Sequence, residues 1–208
     1  QHLGGETGIF LDVTGWEEAD FKKNSKWINK YMNIITGVKF DEKTYQIMDM
    51  IWNTNNIEEI YCSGYGCKVR HLDQTVTDFS YFPSLRIFEC NEIENSNMDF
   101  SGCNHLEKLK IRDPLSRVTN IDLSRNTALK ELSLNVAPRI TTIDLSNCTN
   151  LEKLDVSYSY LTSLNLSQNI NLKVLDCHNT TGISSLDLSH NTKLEELYIQ
   201  EERTDYKD

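Results

Sequence analysis

Three apolar positions, separated first by two polar residues and then by one, form a figure that recurs along the chain. It reads LEKLKI from Leu106, LKELSL from Leu129, LEKLDV from Leu151, LKVLDC from Leu172 and LEELYI from Leu194. Looser copies, IEEIYC from Ile57 and LRIFEC from Leu85, precede these. A second figure lies between them: MDFSGCNH, IDLSRNTA, IDLSNCTN, LNLSQNIN and LDLSHNTK, with TDFSYFPS as its loosest form. First leucines at 85, 106, 129, 151, 172 and 194 give units of 21–23 residues, after a longer first unit. Self-similarity at this period predicts a solenoid, because no unit can bury its own apolar edge. Alternation puts Leu132 and Leu134 inward and Ser133 outward, and stacked copies build a parallel sheet from each segment. One coil then supplies two strands and two turns.

The connections are unequal. From the Asp or Asn of the second figure to the next first leucine the spacing is constant, as in Asp99 to Leu106, Asp122 to Leu129 and Asn165 to Leu172. All length changes fall in the other connection, from Cys62–Asp78 down to Val156–Asn165. Variation confined to one edge of a repeat array marks its adaptable face.

These LxxLxL/C repeats with an added xxLDLSxNTxL segment resemble the leucine-rich repeats of bacterial surface proteins. They are most similar to those of gut and oral Bacteroidetes and more loosely to internalins. The resemblance covers Ile57 to Ile199. It implies a β-rich leucine-rich-repeat solenoid of two parallel sheets, with residues 57–208 as the solenoid and residues 1–56 as an α/β N-terminal cap. One departure stands out. The Asn common three residues after the third apolar position is replaced by Pro114, Ala137, Ser159 and Thr180. Asn or Cys recurs in the second segment instead, at Cys103, Asn126, Cys148, Asn169 and Asn191. A buried amide at that corner would hydrogen-bond turn backbone in neighbouring coils, and a thiol can partly imitate it.

The cap region lacks the repeat. Gly8–Val13 reads as a strand, and Trp27, Ile28, Tyr31, Met32 and Ile35 recur at helical spacing with Gly37 as a stop. A second short helix is expected over 42–50. Trp16, Trp27 and Trp52 read as packing residues, with glycan stacking as the alternative.

Composition narrows the chemistry. Apolar residues make up 38% and the net charge is −10, which argues against phosphate-backbone recognition. No apolar run suffices for a membrane span, and Gln1 is expected to begin a trimmed or processed chain. Cys62, Cys90 and Cys177 fill third-apolar slots, while Cys103 and Cys148 take the Asn slot. They read as reduced, buried side chains; a Cys62–Cys67 bridge is the open exception. No zinc spacing, catalytic motif, phosphate loop or dinucleotide glycine pattern occurs, so no metal, cofactor or enzyme activity is expected. The Asp column at 78, 99, 122, 144 and 187, interrupted by Asn165, reads as turn acceptors rather than a calcium ladder.

The expected recognition surface is the outward face of the first sheet. Lys110, Ser133, Asp155, Asp176 and Tyr198 form one column; Arg112, Asn135, Ser157, His178 and Gln200 form the next. Tyr158 and Tyr160 flank them as anchors, because aromatics and Arg dominate interface energies. The resemblance implies a non-enzymatic protein-binding module at a bacterial cell surface. It suggests specifically a lipid-anchored accessory subunit beside outer-membrane transporter subunits, with direct glycan or peptide binding as the alternative. Finally, "QEERTDYKD" after Ile199 has no apolar residue except Tyr206 and is poorly suited to cover an end coil, so docking on that edge by a partner or a second copy is expected, with the tail folding back on Tyr206 as the alternative.

Overall fold

The structure is a computed structural model that describes residues 8–31, 35–41, 54–63, 70–71, 74–75, 78–91, 96–112 and 118–199. In chain order the elements are β1 (Ile9–Asp12), α1 (Glu18–Tyr31), β2 (Ile35–Asp41), β3 (Glu59–Ser63), β4 (Arg70–His71), β5 (Gln74–Thr75) and β6 (Ile87–Asn91). Then follow β7 (Asn97–Asp99), β8 (Lys108–Arg112), β9 (Asn120–Asp122), β10 (Glu131–Ser133), β11 (Lys153–Asp155), β12 (Val174–Asp176) and β13 (Glu196–Tyr198). Nine strands make one sheet in the order β1-β2-β3-β6-β8-β10-β11-β12-β13. Every neighbour in it is parallel.

The LxxLxL figure sets the register. Leu109, Leu132, Leu154 and Leu175 stand opposite one another on successive strands and are buried. The earlier, wider coils fill the same core with aromatics. Phe79 stacks on Phe100 with ring centroids 4.3 Å apart, and Phe88 meets both edge-on. One contiguous core therefore runs the length of the described chain.

The constant connection is two fused turns. At its start the Asp or Asn side chain accepts the N–H of the Ser two residues on: Ser80, Ser101, Ser124, Ser146, Ser167 and Ser189 all donate at 2.8–3.0 Å. At its end the first leucine donates its N–H to the carbonyl three residues back, as in Leu129 to Asn126 and Leu172 to Asn169. Neither turn tolerates an insertion, which explains the fixed spacing.

Between those turns sits the corner ladder. Asn126 Nδ2 donates to the carbonyls of Phe100 and Cys103 in the preceding coil, at 3.0 and 2.9 Å. Asn169 repeats this with Leu145 and Cys148, and Asn191 with Leu166 and Asn169. Where Cys occupies the slot, one thiol contact replaces two amide bonds: Cys103 Sγ to Phe79 O at 3.2 Å, and Cys148 Sγ to Leu123 O at 4.0 Å. Phe82 fills the same slot in the coil before. Burial pushes the Cys103 and Cys148 thiols up to about 12. The Asn of other leucine-rich repeats has a partial successor here: Thr180 Oγ1 donates to Val156 O at 2.9 Å.

Three expectations need correction. Among the described residues the second segment pairs as a sheet only between β7 and β9, with one bridge from Asp78 to Asp99. In later coils the segment is given over to turns, with Thr162 N–H to Thr141 O a remaining intercoil bond. Ile35 and Gly37 do not end a helix but lie in β2, where partners on both sides override the helical spacing. Gly37 lets the Phe10 ring pack closely there, since a Cβ would stand 2.5 Å from it and displace the ring. Ser157 is buried rather than outward. At the start of helix α1 the Asp20 carboxylate reaches back to accept the Glu17 N–H at 2.9 Å. The expected helix over 42–50, Trp52 and Cys67 lie outside the described residues.

Two outcomes are expected. Asn169→Ala removes two buried intercoil bonds, leaving the Leu145 and Cys148 carbonyls with only the N–H groups of their own turns, and should cost about 1–3 kcal/mol in chemical denaturation; a loss under about 0.5 kcal/mol would mean the ladder does not bind the coils. Cys90, Cys103, Cys148 and Cys177 are free thiols, so a thiol reagent should label them in denaturant without reductant and spare them in the folded protein. The raised thiol pKa values mean that the folded state holds protons the unfolded chain releases. Stability is therefore fully present below the ordinary value of 9.0 and falls as pH rises toward about 12.

Candidate functional site

The outward face of the main sheet is a field of charge. Residues directly after each first apolar position alternate in sign along the solenoid: Glu58, Arg86, Glu107, Lys130, Glu152, Lys173, Glu195. Arg86 bridges Glu58 and Glu107 at 3.4 and 3.1 Å, Lys130 meets Glu107 at 3.0 Å, and Lys173 meets Glu152 at 2.6 Å. The hydrogen bonds from Lys130 and Arg86 hold the Glu107 carboxyl below its ordinary range. Such exposed pairs contribute little stability singly. Their alternation opposes a slip of one coil against the next, which would set like charges side by side.

Further along the strands the face hollows into an open groove of ≈ 420 Å³. Lys110, Arg112, Ser133, Asn135 and Asp155, five residues of the expected recognition surface, line it together. Lys39, Tyr61, Glu89 and Asn91 complete the walls from earlier strands, and the buried side chains of Cys62, Cys90 and Ile111 lie beneath. Those earlier contributors belong to the degenerate first units and the cap, where the repeat is hardest to read. The aligned strand register was the signal that could have found them.

Most groove charges are already matched. Lys39 pairs with Asp12 at 3.2 Å, Lys110 with Glu131 at 2.9 Å, and Glu89 with Lys108 at 2.6 Å. Asp155 is held by hydroxyls: Ser133 Oγ donates to one oxygen at 2.9 Å, while Ser157 Oγ and N–H donate to the other. Asn135 Nδ2 extends this chain to Ser157 Oγ at 2.8 Å. Burial is the main cause raising the Tyr61 hydroxyl to about 12, and it donates to Glu59 at 3.2 Å. Arg112 is different. It is exposed and has no ion pair among the described residues.

The remaining expected residues lie outside the groove. His178 Nδ1 and N–H both face the Asp176 carboxylate, and the His178 ring meets Tyr158 edge-on at 4.8 Å. Tyr160 is 58% exposed and Tyr198 50%, so both are open surface aromatics. Val136, Tyr158 and Asn179 occupy equivalent positions in successive coils and share a positive φ of 52–55°. The chain thus leaves β10, β11 and β12 through a left-handed residue, fixing how the adjacent connection departs. Among the described residues no cluster of His, Cys, Asp or Glu could hold a metal ion. Among the described residues, no helix is long and apolar enough to cross a membrane.

No protein-family model matches the chain, and no curated protein does. Among solved structures it is similar to the functional domain of InlJ from Listeria monocytogenes, described as including a cysteine ladder, at 25% identity and a TM-score of 0.55. That match covers 80% of this chain and 34% of the InlJ chain. A second, to the internalin InlF from Listeria monocytogenes, has 19% identity and a TM-score of 0.54, over 80% of this chain and 53% of InlF. This chain therefore spans about a third of one and half of the other. The fold is an internalin-like leucine-rich-repeat solenoid.

The positive-φ column gives a test of local strain. Val is β-branched, and the left-handed region costs such a residue roughly 1–2 kcal/mol. Val136→Asn, copying Asn179, should raise stability by about 1 kcal/mol in thermal or denaturant unfolding. A clear loss would mean that Val136 contributes packing worth more than its strain.

Proposed function

We propose that the protein is a non-enzymatic recognition module that binds another protein through the outward face of its main sheet. The observation that carries this reading is the groove. It combines matched charges, hydroxyl-held Asp155 and one unpaired guanidinium, Arg112, beside the edge where connection length varies. Ordered, prepaid polar walls with one open charged donor suit a partner that supplies a carboxylate. The likeness to InlJ supports a surface recognition scaffold in general terms. In this reading residues 1–56 act as the cap of the array and residues 57–208 as its recognition body. Tyr158, Tyr160, Asp176, His178 and Tyr198 form a second, more peripheral contact zone.

The narrower picture is a Bacteroidetes lipoprotein that assists outer-membrane nutrient uptake, and it rests on the sequence resemblance alone. Direct glycan or peptide binding is its alternative, supported by the exposure of Tyr158 and Tyr160.

The test is capture of a partner from native membranes, followed by affinity measurement with variants. Arg112→Ala should weaken binding about tenfold or more, the scale of a charged hydrogen bond at an interface. Its melting temperature should not change. Tyr158→Ala should have a smaller effect. Unaltered affinity in Arg112→Ala with a large loss in Tyr158→Ala would move the site to the aromatic zone; saturable binding of a glycan with no protein partner would overturn the reading.

A further inference from the structure

The outward face of the main sheet obeys one electrostatic rule, with a single departure. Where charged residues face each other across neighbouring strands, their signs are opposite: Asp12 and Lys39, Glu89 and Lys110, Lys108 and Glu131, Glu131 and Lys153. Asp155 and Asp176, facing each other on β11 and β12, are the one such pair of like charge among the described residues. Like charges placed directly opposite repel, and a cation between them removes the penalty.

The chain supplies hydrogen bonds there but no lysine or arginine. Ser133 and Ser157 hydroxyls donate to Asp155, while His178 faces Asp176 and carries charge only when protonated. Lys153, two residues before Asp155 on the same strand, stands opposite Glu131 instead. Within the groove the imbalance has the other sign, because Arg112 on β8 has no ion pair among the described residues. Between the two lies the coil of β10, whose Ser133 and Asn135 are uncharged. The face is therefore bipolar across the strands: a lone cation, a neutral step, then two carboxylates. All four strands have a described neighbour on both sides, so this pattern belongs to the interior of the array.

Spacing narrows what can fit. In the order β8-β10-β11-β12, with strands roughly 4.8 Å apart, a cation seated between Asp155 and Asp176 lies about 12 Å from the strand of Arg112. An extended chain rises about 3.3 Å per residue and turns alternate side chains to one side, so residues i and i+4 span about 13 Å on one face.

We propose that the groove takes an extended segment of the partner protein lying across the strands. It places Asp or Glu on Arg112 and Lys or Arg, four residues away, between Asp155 and Asp176. This rests on the reading of the face as a protein-binding surface and adds the sign and spacing of what it binds. The acid meets the guanidinium, the base relieves the repulsion between the two carboxylates, and exchanging the two charges sets like against like at both ends.

The test uses the whole protein and capped Gly/Ser dodecapeptides carrying one Glu and one Lys, set two, four, six or eight residues apart. Two controls at spacing four replace either Glu or Lys with Gln. Chemical-shift titration at millimolar concentration gives each affinity. Spacing four should bind best, by about two- to fivefold over other spacings and both controls, the range of an exposed ion pair. Asp176→Asn should abolish the advantage of Lys and keep the dependence on Glu; Asp155→Asn does the same if the first variant fails to fold. Arg112→Gln should abolish the dependence on Glu. Dependence on Glu without a preference for Lys overturns the inference and leaves the broader reading standing, as does a Lys preference that survives both Asp substitutions or a maximum at another spacing. No dependence on Glu in the unaltered protein overturns the inference together with the carboxylate-binding role of Arg112 on which it rests.

Discussion

A backbone carbonyl turned into a protein core needs a donor, and the corner of each coil in this fold turns two of them inward. Each accepts an N–H from its own turn, which leaves a second lone pair turned toward the next coil. A side chain from that coil fills both places, and one amide nitrogen serves both carbonyls. Placing Asn126, Asn169 or Asn191 correctly requires an Asp or Asn turn before it and a leucine-closed turn after it, which is why that connection never changes length. The pitch of the whole solenoid follows, since each ladder residue holds its coil to the one before. The amide oxygens of these three residues find no partner. The ladder thus tolerates an unpaired acceptor in order to serve two carbonyls at once.

With spacing set at the corner, the opposite edge and the outer face are free to vary. The charged column on that face adds discrimination rather than strength, and the groove beside it grows from strand ends that lead into the variable connections.

The ladder was legible in the sequence because its residues recur at fixed distance from a constant motif, and because Cys103 and Cys148 fall where Asn should stand. The turn role of the aspartates was legible for the same reason. Ile35 and Gly37 misled because a few apolar residues at helical spacing say nothing about strands on either side. The second sheet was over-read: alternation shows which side a residue faces, not whether its N–H meets a partner. The left-handed residues Val136, Tyr158 and Asn179 share no side-chain chemistry, so only coordinates could group them. Of the candidate binding residues, Lys110, Arg112, Asn135 and Asp155 gather because column and register coincide. The walls from Lys39, Tyr61 and Glu89 depend on how the irregular first coils dock, which no repeat pattern encodes.

If the amide ladder governs the pitch, then a cysteine coil is an imperfect copy that can be improved. Asn and Cys are close in size, and Cys148 reaches Leu123 O only at 4.0 Å. The most direct measurement is the unfolding free energy of Cys148→Asn. Two new bonds, to the carbonyls of Leu123 and Asn126, should raise it by about 0.5–1.5 kcal/mol, the net scale of a buried hydrogen bond. A destabilised Cys148→Asn variant would contradict the account, because packing of the slot rather than donation to the corner would then be holding the coils together.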